Sequence, residues 1–387
     1  MGIEYGTIEY KVMTVLVLAG QYPYKSLDLV TDNNNKRRES IRRLKELGYI
    51  DVKTVGEKKR IRLKMFARRK ELYAKDLFEG ADNCEPDIRC GGERKLERID
   101  RIAEVVMMMM GAGVNVTPDT KPLPPATLQV GEDSEYLPYF ITSIEARAAL
   151  PIKEEKGKGA RFHGSLISLG GLYNVYNMGE VMMEWVRPSE KTAVDFNSQY
   201  QLKVVPWGKD YSDWFGGSAI VLSRNLNYIV DFVKGNLKVR NGYGSIKNLV
   251  NINEYYSNTY YLPLSRKGQI MMNIMTKRKW HYYLVGMFYK DEYLASPDVK
   301  LSIACDAVKN GCYCLVFMDG DIGRLKRFTS VEIRKEDYGK FKVICYDFQE
   351  EVVRQLVPPG MDVVPYSFDD VIKGFYTVYS ELELSQE

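Results

Sequence analysis

Two groups of residues in this 387-residue chain have the types and spacing to do chemistry. The first is Asn35, Arg38, Glu39 and Arg42, which a helical step of about 100° per residue places on one face. Arg can grip guanine with two donors, Asn suits the edge of adenine, and Glu can accept from cytosine, so this face has the groups that read bases in a major groove. Lys36, Arg37, Arg43 and Lys45 flank it, where phosphate is the natural partner. The second group is Asp319 and Asp321, at the end of the strand-like run from Cys312 to Met318. Two carboxylates at a strand terminus can hold a divalent cation, because Mg²⁺ sites need one or two carboxylates plus phosphate oxygens. The simpler and favoured reading of that pair is a strand-to-helix turn, with Asp321 capping the helix that carries Arg324, Lys326 and Arg327.

The base-reading group needs a helix, and Ile41, Leu44 and Leu47 supply an apolar stripe on its far side. That helix ends at Leu47-Gly48-Tyr49-Ile50, with Gly48 where a left-handed cap falls. Residues Asp51 to Thr54, a Gly56-Glu57 turn and Lys58 to Met65 then read as a strand hairpin. In its second strand Ile61, Leu63 and Met65 alternate with Arg60, Arg62 and Lys64, which gives one basic face. Lys58, Lys59 and Arg60 are therefore read as further phosphate contacts. Upstream, Thr7 can cap a helix running to about Ala19, and Tyr24 to Thr31 reads as a short second helix. Three helices and a hairpin in about 60 residues make up a winged helix-turn-helix. A basic run is more often a solvated face than a binding one. The order of helix, LGYI ending and Lys/Arg-tipped hairpin favours DNA, with a winged helix that contacts only protein as the competing reading.

Hydrophobic content of 45% with 12% aromatic is ample for buried cores and excludes a disordered chain. The net charge is only +4, but residues 1–80 hold 18 Lys/Arg against 11 Asp/Glu, a net of +7 that leaves −3 for the rest. The basicity is local, as expected if one end meets a polyanion. Domain 1–80 is thus read as the winged helix, with 81–135 as a linker and connecting helix and 136–387 as a larger domain. The connecting helix, from about Arg94, ends in Met107 to Met110 and is expected to be buried on several sides. From Tyr136 onward strands alternate with helices, beginning with a hairpin across Gly170-Gly171, which argues for an α/β layered sheet. The fold class is α/β, α+β overall, and no repeat is visible in the sequence.

Catalytic signatures are sparse. A restriction-nuclease core needs an Asp and then a Glu/Asp-x-Lys on adjacent strands; Pro297-Asp298 begins well, but Asp306 to Lys309 and Glu332 to Lys335 are misspaced. There is no GxxxxGK[ST] loop and no GxSxG elbow. His163 and His281 are lone, and both are read as structural. None of the tyrosines, Tyr255, Tyr256, Tyr260 and Tyr261 included, is marked out as a nucleophile by its neighbours. Cys84 and Cys90 are too isolated to make a zinc site, and Cys312 and Cys314 read as small core residues. The sequence favours a binding protein over an enzyme. No cofactor is expected, and Mg²⁺ enters only if the α/β domain is active through Asp319 and Asp321.

With the winged helix at residues 7 to 65, VYNMGEVMMEW (Val175 to Trp185) and MDGDIGRLKRF (Met318 to Phe328) downstream, the layout resembles the replication-relaxation-like proteins. These are winged-helix proteins of plasmids and integrative elements of Gram-positive bacteria, associated with DNA processing in replication or transfer. The resemblance implies a sequence-reading module at Lys36 to Lys45 and a degenerate nuclease-like α/β domain that binds rather than cuts.

The expected function is sequence-specific binding of double-stranded DNA in mobile-element replication, transfer (conjugation) or transcription control. One alternative is a metal-dependent nuclease or nucleotidyl-type enzyme centred on Asp319 and Asp321. The other is a DNA-bound scaffold that recruits a protein. Expected partners are duplex DNA, a second copy of the chain if the target is palindromic, and a replication or transfer protein. Met1 to Thr7 is short and acidic, and no apolar run reaches about 18 residues, so no membrane is expected and the location is read as cytoplasmic.

Overall fold

The computed structural model describes residues 3–64, 92–121, 137–143, 145, 162–179, 217–234, 256–289, 305–330 and 339–383. Helix α1 (Ile8–Ala19) starts where Thr7 Oγ1 accepts the Tyr10 amide at 3.2 Å, and ends at Gly20 with a left-handed φ of 86°. Strand β1 (Gln21–Pro23) follows, then a 3₁₀ turn over Tyr24–Leu29. The sequence suggests an α-helix to Thr31 here, and the difference has a local cause. The Tyr22 hydroxyl donates to the Ser26 carbonyl, which is the acceptor that an α-helical Val30 amide would use. The Val30 amide bonds Leu27 instead, at 3.1 Å.

Helix α2 (Asn34–Glu46) is capped by Asn33, whose Oδ1 accepts the Asn35 and Lys36 amides at 3.0 and 3.1 Å. It stops as the sequence suggests: Gly48 has φ 73°, and its amide returns to the Lys45 carbonyl at 2.9 Å. Strands β2 (Ile50–Val55) and β3 (Lys58–Leu63) form the hairpin, and β1 pairs with the other side of β3, giving an antiparallel sheet in the order β1-β3-β2. Ile61, fully buried, points into the core with Val12 and Leu16 of α1. The alternate residues Lys58, Arg60 and Arg62 point to the opposite side.

Helix α3 (Glu93–Gly111) covers that opposite side and then runs on into the rest of the molecule. Its Met107, Met108 and Met109 are all buried, as their run suggests. The apolar core begun by α1 continues through Val105 and Met108 to Met272 and Leu284, farther along the chain.

The larger part holds two sheets, so the chain is α+β. The first is five-stranded, in the order β4 (Tyr139–Thr142), β5 (Phe162–Ser168), β6 (Gly171–Gly179), β7 (Ser218–Ser223), β8 (Asn258–Pro263). Helix α4 (Tyr228–Lys234) follows β7, and α5 (Arg266–Met275) and α6 (Trp280–Gly286) follow β8. The second sheet has four strands in the order β9 (Ala307–Lys309), β10 (Cys312–Val316), β11 (Phe341–Tyr346), β12 (Asp362–Tyr366). Helices α7 (Ile322–Thr329), α8 (Glu350–Leu356) and α9 (Phe368–Glu383) follow β10, β11 and β12.

The two sheets repeat one topology. An antiparallel hairpin (β5-β6, β9-β10) is extended by two parallel strands (β7-β8, β11-β12). The second hairpin turns at Asn310-Gly311 and the first at Leu169-Gly170. A Cβ on Gly170 would lie 2.0 Å from the Met275 carbonyl oxygen, so only glycine fits there. Among the described residues no helix is long and apolar enough to cross a membrane.

Residues 65–91, which span the end of the expected winged-helix domain and the start of the linker, residues 122–136, and the end of the VYNMGEVMMEW motif lie outside the described residues. So do Cys84, Cys90, Tyr255 and the Pro297-Asp298 and Glu332 to Lys335 segments.

Candidate nucleic-acid interface

Helix α2 buries Ser40, Ile41 and Leu44 and leaves Asn35, Lys36, Arg38, Glu39, Arg42, Arg43 and Lys45 exposed. Leu47, expected to extend the apolar stripe, is the C-cap residue and stays 48% exposed. Two of the cations are partly engaged at the surface: Arg42 Nη1 lies 3.3 Å from Glu46 one turn on, and Arg43 Nη1 lies 4.0 Å from Glu9 of α1. Exposed pairs of this kind are weak and leave both arginines free to exchange partners. Lys36, Arg38 and Lys45 have no carboxylate within ion-pair distance among the described residues. Arg37 departs from the expected phosphate role. It is half-buried and folds back on its own helix start, donating to Asn34 Oδ1 and, at 3.4 Å, to the Asp32 carbonyl.

The hairpin departs further. Arg60, read from the sequence as a phosphate contact, is fully buried; its Nε donates to Asp100 Oδ2 at 2.8 Å and its Nη1 to the Val55 carbonyl at 2.9 Å. It is not available to DNA. Lys58 Nζ lies 2.5 Å from Glu97 Oε1, and Lys59, still exposed, sits 4.2 Å above the Tyr24 ring. Arg62 donates to Gln21 Oε1 at 2.8 Å, and Gln21 in turn donates to Asp100 Oδ1 at 2.6 Å.

The basic face of the hairpin is therefore spent on an acidic stripe of α3 that sequence reading passed over. Glu97, Asp100 and Glu104 recur at helical spacing, and that same-face recurrence in a helix otherwise rich in Arg and Lys is the signal that finds it. Glu104 completes the stripe at the far end. It accepts from Ser26 Oγ at 2.5 Å and Asn177 Nδ2 at 2.9 Å, and stands 3.6 Å from Arg224, which also pairs with Asp28 at 2.8 Å. Burial pushes the Asp100 carboxyl up, with Arg60 pulling against it.

Asp319 and Asp321 do not share an open cation position. Asp321 caps α7, its Oδ1 accepting the Gly323, Arg324 and Thr259 amides at 2.9, 3.2 and 3.3 Å. Asp319 accepts the Asp321 amide at 3.0 Å and pairs with Arg324 Nη1 at 2.8 Å. Arg324 also pairs with Asp306, and its Nη1 donates to His281 Nε2 at 2.5 Å. A guanidinium thus sits between two carboxylates and an imidazole, and both Asp319 oxygens and Asp321 Oδ1 already accept from N–H donors. Among the described residues no three His, Cys, Asp or Glu side chains are grouped to hold a metal.

The electrostatics agree with a closed cluster. Burial pushes Asp319 up to about 6, against the pull of Arg324 and His281, and pushes Asp321 upward as well. Burial and the adjacent guanidinium lower His281, in the same sense as the contact with Arg324, whose guanidinium can only donate to Nε2. Burial opposes the charge on Arg324, but Asp306 and Asp319 outweigh it and hold the guanidinium charged. The cluster joins the two sheets: the Tyr261 amide of β8 donates to the Gly320 carbonyl at 2.8 Å. A Cβ on Gly320 would lie 2.5 Å from the Tyr261 carbonyl oxygen, so this close approach requires glycine. A cavity beside it, lined by Met271, Trp280, Leu284, Met318, Asp319 and Tyr346, has room for about one water.

No family model, no curated protein and no solved structure matches this chain.

Proposed function

We propose that this chain binds duplex DNA in a sequence-specific way, with α2 laid in the major groove as the reading helix of a winged helix-turn-helix. The observation that supports the reading is the solvent-facing row of Asn35, Arg38 and Arg42, flanked by Lys36, Arg43 and Lys45, on a helix anchored from behind by Ile41 and Leu44. The element order of the first 64 residues supports it too. The setting follows from the resemblance to replication-relaxation-like proteins: an accessory or initiator factor of plasmid or mobile-element replication, transfer or transcription control. In this reading the double-sheet part acts as effector or partner surface, and Arg324 serves as its internal counter-ion.

The test is enrichment of short duplexes from a random library by the full-length chain at two salt concentrations. One short sequence should emerge, and binding should weaken steeply with salt. Arg38→Ala or Arg42→Ala should relax the preference at one base pair by about 1–3 kcal/mol. If the parent enriches nothing, or both variants select the parent's motif with the parent's discrimination, α2 is not the reader.

A further inference from the structure

The hairpin tip is held against α3 by two contacts of different strength. Arg60 and Asp100 are closed to solvent, with side-chain exposures of 0% and 10%, and losing either partner would strand a buried charge. Lys58 and Glu97 keep 40% and 30% of their side-chain surface, so water and ions reach the pair. Exposed ion pairs are weak and exchange readily. Lys58 adjoins the Gly56-Glu57 turn at the tip, and a Cβ on Gly56 would lie 3.0 Å from Glu93 Oε1. Two carboxylates one helical turn apart, Glu93 and Glu97, therefore stand alongside the tip.

We propose that the amino-terminal half of α3 is an internal mimic of the DNA backbone, which keeps Lys58 out of the interface until a phosphate displaces Glu97. The inference rests on the DNA-binding reading above and concerns its regulation. In the closed arrangement the cations offered to DNA are those of α2 with Lys59. Displacement of Glu97 adds Lys58 and brings the hairpin into contact. Binding is then weaker than the number of basic residues suggests, and is strengthened by whatever neutralises or moves the start of α3. The Glu97 carboxyl is held below the usual carboxylate range mainly by its hydrogen bond from Lys58, which is the closed arrangement's own signature.

The experiment is a double-mutant cycle on the full-length chain, read as affinity for one duplex over a range of KCl concentrations. Glu97→Ala keeps a good helix former on a partly exposed helix position. It should tighten binding about two- to fivefold and steepen the slope of log K against log salt by about 1. Lys58→Ala should barely change the parent and should cancel the gain of Glu97→Ala. Glu350→Gln removes the same charge from α8, far along the chain, where Glu350 is partly exposed and paired with Arg354, and should leave affinity as it is. Parent-like affinity and slope for Glu97→Ala overturn the proposal, as does a Lys58→Ala loss that is equal in both backgrounds. An equal gain from Glu350→Gln also overturns it, in favour of net charge. Failure of the parent and every variant to bind any duplex removes the DNA reading itself, which is a different result from a parent that binds and a Glu97→Ala variant that matches it.

Discussion

Helix α2 and strand β3 are both dense in Lys and Arg, and they meet opposite fates. Apart from Arg37, the cations of α2 face solvent, while β3 turns Lys58, Arg60 and Arg62 onto Glu97, Asp100 and Gln21. What separates them is a cover, not composition. No described element packs over the outer face of α2, whereas α3 lies across the outer face of the sheet. A basic stripe is therefore a binding surface only where nothing else in the chain supplies its counter-charge.

The comparison breaks most visibly at Arg60. Arg60→Ala should cost about 3–5 kcal/mol of folding stability, because it leaves Asp100 buried without its partner, and a shift of the urea midpoint reads it directly. Arg60→Lys should recover little, since an ammonium lacks the fork that spans Asp100 and the Val55 carbonyl. A stable Arg60→Ala protein with weakened DNA binding would reverse the roles assigned to the two elements.

A second covered charge, Asp319, sharpens the rule through pH. Its folded-state value of about 6 lies above the ordinary 3.8, so between those values the folded chain holds a proton that the unfolded chain has released. The contribution of this group to stability should therefore rise as pH falls from about 6 toward about 4, the reverse of an ordinary ion-paired aspartate. Urea titrations of the parent and Asp319→Asn across that window measure the difference. If the parent gains on the variant as pH rises, the pull of Arg324 exceeds the burial.

The smallest effect belongs to the uncovered surface. Lys45→Ala should leave the urea midpoint unchanged within about 0.5 kcal/mol, lower affinity for all duplexes alike, and reduce the salt slope by about 1. A Lys45→Ala variant that loses stability instead would place a hidden partner on α2.

Features set by near neighbours were legible in the sequence. Thr7, Asn33 and Asp321 cap the helices that follow them, and Gly48 takes the left-handed turn expected of it, because each needs only the next few residues. The alternation of strands and helices after residue 136 was readable for the same reason. Features set at a distance were not. Arg60 looked like a phosphate contact because its partner is 40 residues away, and the 3₁₀ turn at Tyr24–Leu29 depends on the Tyr22 hydroxyl reaching round to Ser26. His281 and Asp306 carried no mark of the shared guanidinium, since Arg324 comes from a third segment. The repeated topology of the two sheets lies in strand sense and order, which no residue pattern announces.

The 40-residue separation of Arg60 from Asp100 also has a consequence for how the chain is made. At about 5–20 residues per second, synthesis leaves the basic hairpin face bare for roughly 2–8 s before α3 exists to cover it. A nascent chain during that interval carries a second cationic surface that the finished protein lacks, and nearby nucleic acid is the natural competitor for it. The order in which the ribosome delivers the two elements thus makes the hairpin a transient electrostatic liability, closed only when the acidic stripe arrives.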